Sequence, residues 1–381
     1  MRGWPVALVC LTLAACASAP PSSTPAGLFS DRLFAPASER VSADDVFALS
    51  AEMRDYLKVD IAPLLRARGT RQGLVDALTS PGLLRLEYDS TMTRNAAQAF
   101  AARSGNCLSL VLMTAAFAKG LDLPVRFQSV TADETLGRSG DLQFIIGHVN
   151  VTLGDRISEL GSHRSDLLTV DFVPGQGAAR TSTRPIGEDT VVAMYMNNRA
   201  AEALAAGRVD DAYWWARAAV ARDPKFVSAY NTLGVVYRHH GNLAEAERAL
   251  AAGLERDPRN THVMSNLVAV LEAQGRRAEA ATLASRLAQL DPHPPFSYFM
   301  RGMNALRERN FVQARDLFAK EVDRAPYYHE FHFWLAQSYL ALGEIDQAKK
   351  QLALALEYSD TGRERALYAA KLARIKSGSV Q

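Results

Sequence analysis

Three side chains in the first half of the chain have the types and order of a thiol centre: Cys107, His148 and Asp171. Cys107 stands near the start of NCLSLVLMTAAFAKG (106–120), an apolar run of helical length. Gly105 permits a tight turn before it, and Ser104 or Asn106 can cap the helix. A helix's first turn gathers free backbone N–H groups and the positive end of its dipole, which favour a thiolate. A thiolate attacks carbonyls, and it needs a neighbour that moves protons. Six of the eight histidines lie from position 239 onward, which leaves His148 and His163 as candidates. His148 opens HVNVTL, an alternating strand pattern, whereas His163 sits in the polar GSHRSD, so His148 is preferred. Asp171, between Val170 and Phe172 in TVDFV, is the candidate to orient the imidazole, and Asp155 in LGDR reads as a turn residue. The backbone N–H of Cys107, with Tyr88 or Asn106, are candidate donors to a developing oxyanion. Each residue also has a plain reading: a small buried cysteine, a satisfied core histidine, an aspartate capping a loop.

Rigid elements must carry these groups. Helical periodicity runs over 42–57, 70–79, 93–102 and 106–120, with an extended stretch at 83–90. Strand-like runs follow at 125–130, 142–153 and 167–173. Helices first and strands after predict an α+β domain over 42–180. The stretch AFAARSGNCLSLVLMTAAFAKGLDLPVRFQSV, then GHVNV, then VDFVP, resembles the transglutaminase-like superfamily, which shares its core with papain-type cysteine proteases. The resemblance covers roughly residues 80–175 and rests on Arg103, Gly105 and Cys107 at a helix start and on Gly120-Leu121 through Arg126 leading into a strand. It implies Cys107 as nucleophile, His148 as base and Asp171 as orienting acid, in a peptidase, amidase or transamidase. Val149 and Asn150 stand where the family often has an aromatic residue after its histidine, so the substrate is not implied.

The second half is periodic. Pro224, Pro258, Pro292 and Pro326 are each 34 residues apart, as are Ala212, Ala246, Ala280, Ala314 and Ala348. Gly207, Gly241 and Gly275 keep the same step, and Gly343 returns to it after Arg309 fills the slot. This pattern resembles the tetratricopeptide repeat, most clearly over 227–260 with Tyr230, Leu233, Gly234, Tyr237, Ala246, Leu250 and Pro258. Five units are expected over 193–362, with a capping helix at 363–376 and the weakest match in the first unit, at Arg199, Ala200 and Ala203. The fold class expected is thus an α+β transglutaminase-like, papain-like domain followed by an all-α tetratricopeptide-repeat solenoid. The resemblance implies a protein or peptide ligand in the repeat groove, with Asn231, Arg238, Phe296, Phe299 and Phe333 as candidate contacts. The alternative to an enzyme is therefore a non-catalytic binding scaffold or assembly factor.

A net charge of +2 over 381 residues gives no reason to expect nucleic acid as a partner. No CxxC, HExxH, GxxxxGK or GxSxG pattern is found, so no metal or nucleotide cofactor is expected. The first residues read as a leader: Arg2, the apolar WPVALVCLTLAA, then Leu13-Ala14-Ala15-Cys16, which resembles the lipobox of bacterial lipoproteins. That resemblance implies removal of 1–15, a lipid on Cys16, a tether over 16–41 and an outer-membrane site facing the periplasm. Cys10 is then lost and Cys16 blocked, which leaves Cys107 as the one free thiol.

Overall fold

The structure, a computed structural model, describes residues 25–80, 84, 86–90, 92–139, 142–154, 167–172, 182–359 and 361–377. The expected leader, Cys16, Asp155 and His163 lie outside the described residues.

The front segment is helical first. Ser50 caps α1 (Ala51–Asp55), its hydroxyl accepting the Met53 N–H, and a π-helical turn follows at Tyr56–Asp60. The helix read over 42–57 thus starts only at its cap. Then come α2 (Ala62–Arg68) and α3 (Thr70–Thr79). A two-residue strand, β1 (Glu87–Tyr88), precedes α4 (Ala96–Ala102), which opens with a capping box between Asn95 and Gln98. Arg103 ends α4 in the left-handed conformation, φ 50°. The turn aligns β2 (Ser104–Gly105) in parallel with β1 and feeds directly into α5 (Cys107–Gly120). Every residue of α5 from Cys107 to Ala118 is buried, as expected of a helix apolar all round.

Four strands follow, β3 (Val125–Ser139), β4 (Leu142–Leu153), β5 (Leu168–Val170) and β6 (Ser182–Ile186). They form one sheet in the order β5-β4-β3-β6, all neighbours antiparallel. The sequence reading missed β6, because STRPI carries a charge and a proline. Its position explains the composition: β6 is an edge strand, and an edge tolerates a proline.

Helix pairs complete the chain: α6 (Glu188–Ala205) with α7 (Val209–Arg222), α8 (Val227–His240) with α9 (Leu243–Arg256), α10 (Thr261–Ala273) with α11 (Arg277–Leu290), α12 (Ser297–Arg307) with α13 (Phe311–Arg324), and α14 (His329–Ala341) with α15 (Ile345–Glu357). A last helix, α16 (Gly362–Lys376), closes the array. The first pair begins at Glu188, ahead of the expected 193. Each pair turns on one left-handed residue: Gly207, Gly241, Gly275 and Gly343 at φ 75° to 87°, and Arg309 at φ 59°. The turn geometry is kept where the glycine is not. Within a pair, small residues permit close approach: a Cβ on Gly234 would lie 2.5 Å from Leu250 Cγ.

One continuous apolar core joins the front helices, the sheet and the repeats as far as Ala280. A second cluster lies around Phe299 and Phe318, and a third under α16. The division falls at 291–296, where Pro292, Pro294 and Pro295 crowd one connection, and α11 before it buries only Ala280 fully.

Residues 28–41, expected as the distal tether, are docked on the repeats. Phe34 stacks on Tyr213 at 3.9 Å between ring centroids and also meets Tyr237 and His240. The Ser30 N–H donates to the hydroxyls of Tyr213 and Tyr237, and Tyr237 donates to the Leu28 carbonyl. Ser38 donates to Asp211, and Glu39 accepts from Trp215 and Arg199. Aromatic burial and satisfied backbone groups hold this strap in place. The departures in the first repeat have the same origin. Arg199 stands between Glu39 and Glu202, at 3.0 Å from each.

Candidate functional site

Cys107, His148 and Asp171 come together. Asn106 is the N-cap of α5, its Oδ1 accepting the Ser109 N–H at 2.9 Å, so Cys107 is the first helical residue. Gly105 before it has no room for a side chain, since a Cβ would fall 2.6 Å from Ser109 Cβ. His148 lies on β4 opposite Val130, where the β3–β4 register shifts. Val151 pairs with Val170 on β5, so Asp171 follows directly off the neighbouring strand. His148 Nε2 and Asp171 Oδ1 are 2.9 Å apart, and Cys107 is near enough to the imidazole to favour its cation.

The electrostatics follow from this pairing. Burial of His148 disfavours its cation, yet the hydrogen bonds and charges of Asp171 and Cys107 outweigh burial and raise its pKa from 6.5 to about 9. The imidazole therefore keeps its proton at neutral pH, between an anionic carboxylate and the sulfur. Cys107 and His148 are 4% and 8% exposed, whereas the Asp171 side chain is 46% exposed. Cys107 and His148 are thus covered, and Asp171 faces solvent.

Of the expected oxyanion donors, the Asn106 side chain serves as the helix cap. Its Oδ1 takes the Ser109 N–H and hydroxyl, and its Nδ2 donates to Thr93 Oγ1 at 2.8 Å. The amide is thus fixed at both ends as a cap, with one of its two N–H groups committed to Thr93. Tyr88 lies on β1 against Gly105, two residues before the cysteine. Sequence reasoning missed Thr93, Asn198 and Glu202, which meet beside this cap. The Thr93 N–H donates to Glu202 Oε1 at 2.6 Å, and Asn198 Nδ2 reaches Thr93 Oγ1 at 3.3 Å. No local signal marks them, because Asn198 and Glu202 belong to the first repeat helix and look like its solvated face.

In the array, Asn231 accepts from Asn266 at 2.9 Å. Arg238 is half-buried, and burial lowers its guanidinium pKa; no ion pair to it is found among the described residues. Phe296 and Phe299 are not groove residues. Both are 1% exposed and pack with Phe318, Phe331 and Tyr328, filling the space between helices. Phe333 stacks on Tyr368 of α16 at 5.1 Å, with the Lys371 ammonium over its ring, so it anchors the closing helix. Among the described residues, no helix is long and apolar enough to cross a membrane and no cluster of ligands suits a metal.

The Tetratricopeptide repeat family matches residues 203–263, 238–300 and 305–375. The repeat half of the chain is a tetratricopeptide-repeat array. No curated protein matches the chain. Among solved structures, the array is similar to YrrB, described as a tetratricopeptide-repeat protein with an unusual peptide-binding site. That match has 21% identity and a TM-score of 0.26, over 47% of this chain and 92% of that one. It is also similar to a thermophilic tetratricopeptide-repeat protein of Thermus thermophilus, at 20% identity and a TM-score of 0.32, over 48% and 99% of the two chains. PilF of Pseudomonas aeruginosa matches at 21% identity and a TM-score of 0.31, over 49% and 84%. A tetratricopeptide array is a protein-interaction scaffold, whose stacked helices present an extended surface to a peptide or protein.

Proposed function

We propose that this protein is a protein-binding repeat scaffold whose front domain carries a thiol centre built from Cys107, His148 and Asp171. The family match lies in the repeats and favours the binding role over the enzymatic one. The observation that supports a thiol centre is the 2.9 Å pairing of His148 with Asp171 beside Cys107 at a helix start. The order of a helix-borne cysteine, a strand-borne histidine and an aspartate after the next strand supports a transglutaminase-like front domain. The Leu13–Cys16 motif supports a lipid on Cys16 and a place at the cell envelope, facing the periplasm.

The chemistry assigned to the centre is acyl transfer. Cys107 Sγ attacks an amide carbonyl carbon and forms a thioester, while the His148 imidazolium gives its proton to the leaving amine. Water, or a second amine, then attacks the thioester and passes a proton back to His148, and the sulfur leaves as thiolate. In this reading the repeats recruit the protein that carries the amide.

Two measurements test the two roles. Iodoacetamide should alkylate Cys107 below neutral pH in the wild type, and His148→Ala should remove that limb of the pH–rate profile. Superimposable profiles would exclude the thiol centre. In a screen of immobilised peptides, the full chain should bind a subset and Arg238→Glu should weaken it. A chain that retains no peptide would remove the binding role.

A further inference from the structure

We infer that α6, the first helix of the repeat array, positions Cys107: Asn198 and Glu202 grip Thr93, and Thr93 holds the N-cap of α5. The inference rests on the thiol-centre reading above. Asn198 and Glu202 are four residues apart, so one face of α6 presents both. Thr93 is 1% exposed and uses both its polar groups. Its N–H donates to Glu202 Oε1 at 2.6 Å, and its hydroxyl oxygen accepts from Asn198 Nδ2 at 3.3 Å and from Asn106 Nδ2 at 2.8 Å. One residue on, the Arg94 N–H donates to Ser109 Oγ at 2.8 Å, and the Ser109 hydroxyl passes on to Asn106 Oδ1 at 2.8 Å. The loop is thus bonded to the first turn of α5 at two points. The Asn106 amide is held at its nitrogen by Thr93 and at its oxygen by Ser109, so it cannot rotate without breaking a buried bond.

The anchor is itself fixed. The other Glu202 oxygen accepts from Arg199 Nη1 at 3.0 Å, and Arg199 Nη2 reaches Glu39 of the strap. Burial raises the pKa of Glu202, while the Thr93 bonds and Arg199 act in the opposite direction. Beyond the apolar residues that α6 packs into the shared core, it commits a carboxylate and an amide to one threonine. The direction of the Cys107 Cα–Cβ bond, and so the distance from Sγ to the His148 ring, depends on where this cap sets the first turn. Small displacements at such a centre cost rate steeply.

The test uses the full chain with Glu202→Ala, Glu202→Gln and the milder Asn198→Ala, which leaves the carboxylate in place should Glu202→Ala fail to fold. Amide hydrogen exchange over residues 104–112 reads the cap, with residues 345–376 as the internal reference for global stability. The pH–rate profile of Cys107 alkylation reads the thiol. Glu202→Ala is expected to lose protection at 104–112 alone and to slow alkylation below neutral pH by about fivefold or more. Glu202→Gln, whose amide oxygen still accepts the Thr93 N–H, is expected to restore most of both, and Asn198→Ala to shift both less. The inference is overturned if exchange at 104–112 is unchanged. It is also overturned if exchange rises there while the alkylation profile superimposes on the wild type. A His148→Ala profile equal to the wild type is a different failure, that of the thiol centre, and exchange at 104–112 then decides the positioning claim by itself.

Discussion

At the scale of single residues, His148 ties stability to pH. Its folded pKa of about 9 lies above the ordinary 6.5, because the bonds to Asp171 and Cys107 outweigh burial. The cation is favoured in the folded state, so its contribution is complete below pH 6.5 and is lost as pH rises through about 9. Urea unfolding of wild type and His148→Gln at about pH 6 and about pH 9.5 should show a gap that narrows by about 1–3 kcal/mol at the higher pH. A gap independent of pH would mean that His148 gains no affinity for its proton on folding. Asn106 shows how geometry edits a residue's role. Its type suits either an oxyanion donor or a cap, and its hydrogen bonds to Ser109 and Thr93 make it a cap.

At the scale of elements, the turn between the helices of a repeat sets its own demand. Arg309 occupies the column that glycine fills elsewhere and still adopts φ 59°. An L-residue with a Cβ pays conformational strain there. Arg309→Gly is therefore expected to raise stability by about 0.5–1 kcal/mol, read from the urea midpoint. An unchanged or lower midpoint would show that the Arg309 side chain contributes as much as its backbone costs. The helix–helix contact makes the opposite demand at Gly234, where a methyl group would enter Leu250. Gly234→Ala should cost about 1–3 kcal/mol through overpacking, despite alanine's better helix propensity. A stabilised variant would show that the α8–α9 contact can relax.

At the scale of the whole molecule, the strap over 28–41 and the α6 network make the front domain and the first repeats one packed body. Phe34 is the strap's apolar anchor, 7% exposed against Tyr213. Phe34→Ala should release the segment, at a cost of about 3–5 kcal/mol. Trypsin cleavage after Arg32 and Arg40 should then accelerate, as mass spectrometry of timed digests would show. Unchanged cleavage would mean that the Ser38 and Glu39 bonds hold the strap without its aromatic. The separate clusters beyond residue 291 form a second block, so mutations around Phe299 are expected to leave the Cys107 centre undisturbed.

Local rules were enough for much of this chain. The 34-residue step marks the array because each turn needs a left-handed residue and each pair needs a small one, requirements that recur with the unit. The meeting of Cys107, His148 and Asp171 was legible because a cysteine at a helix start, a histidine in an alternating strand and an aspartate in an apolar run each stand out locally. What sequence left open depends on contacts between residues far apart in the chain. β6 hid behind a proline that only an edge position tolerates, and the strap behind a composition that suits a tether equally well. Phe296 and Phe299 satisfied the pattern of a groove but are buried, since an aromatic on a repeat helix can face either way and packing chooses. Thr93, Asn198 and Glu202 carry no motif at all. Their meeting beside Cys107 is decided by how α6 lies against the front domain, a long-range arrangement that no short stretch of sequence encodes.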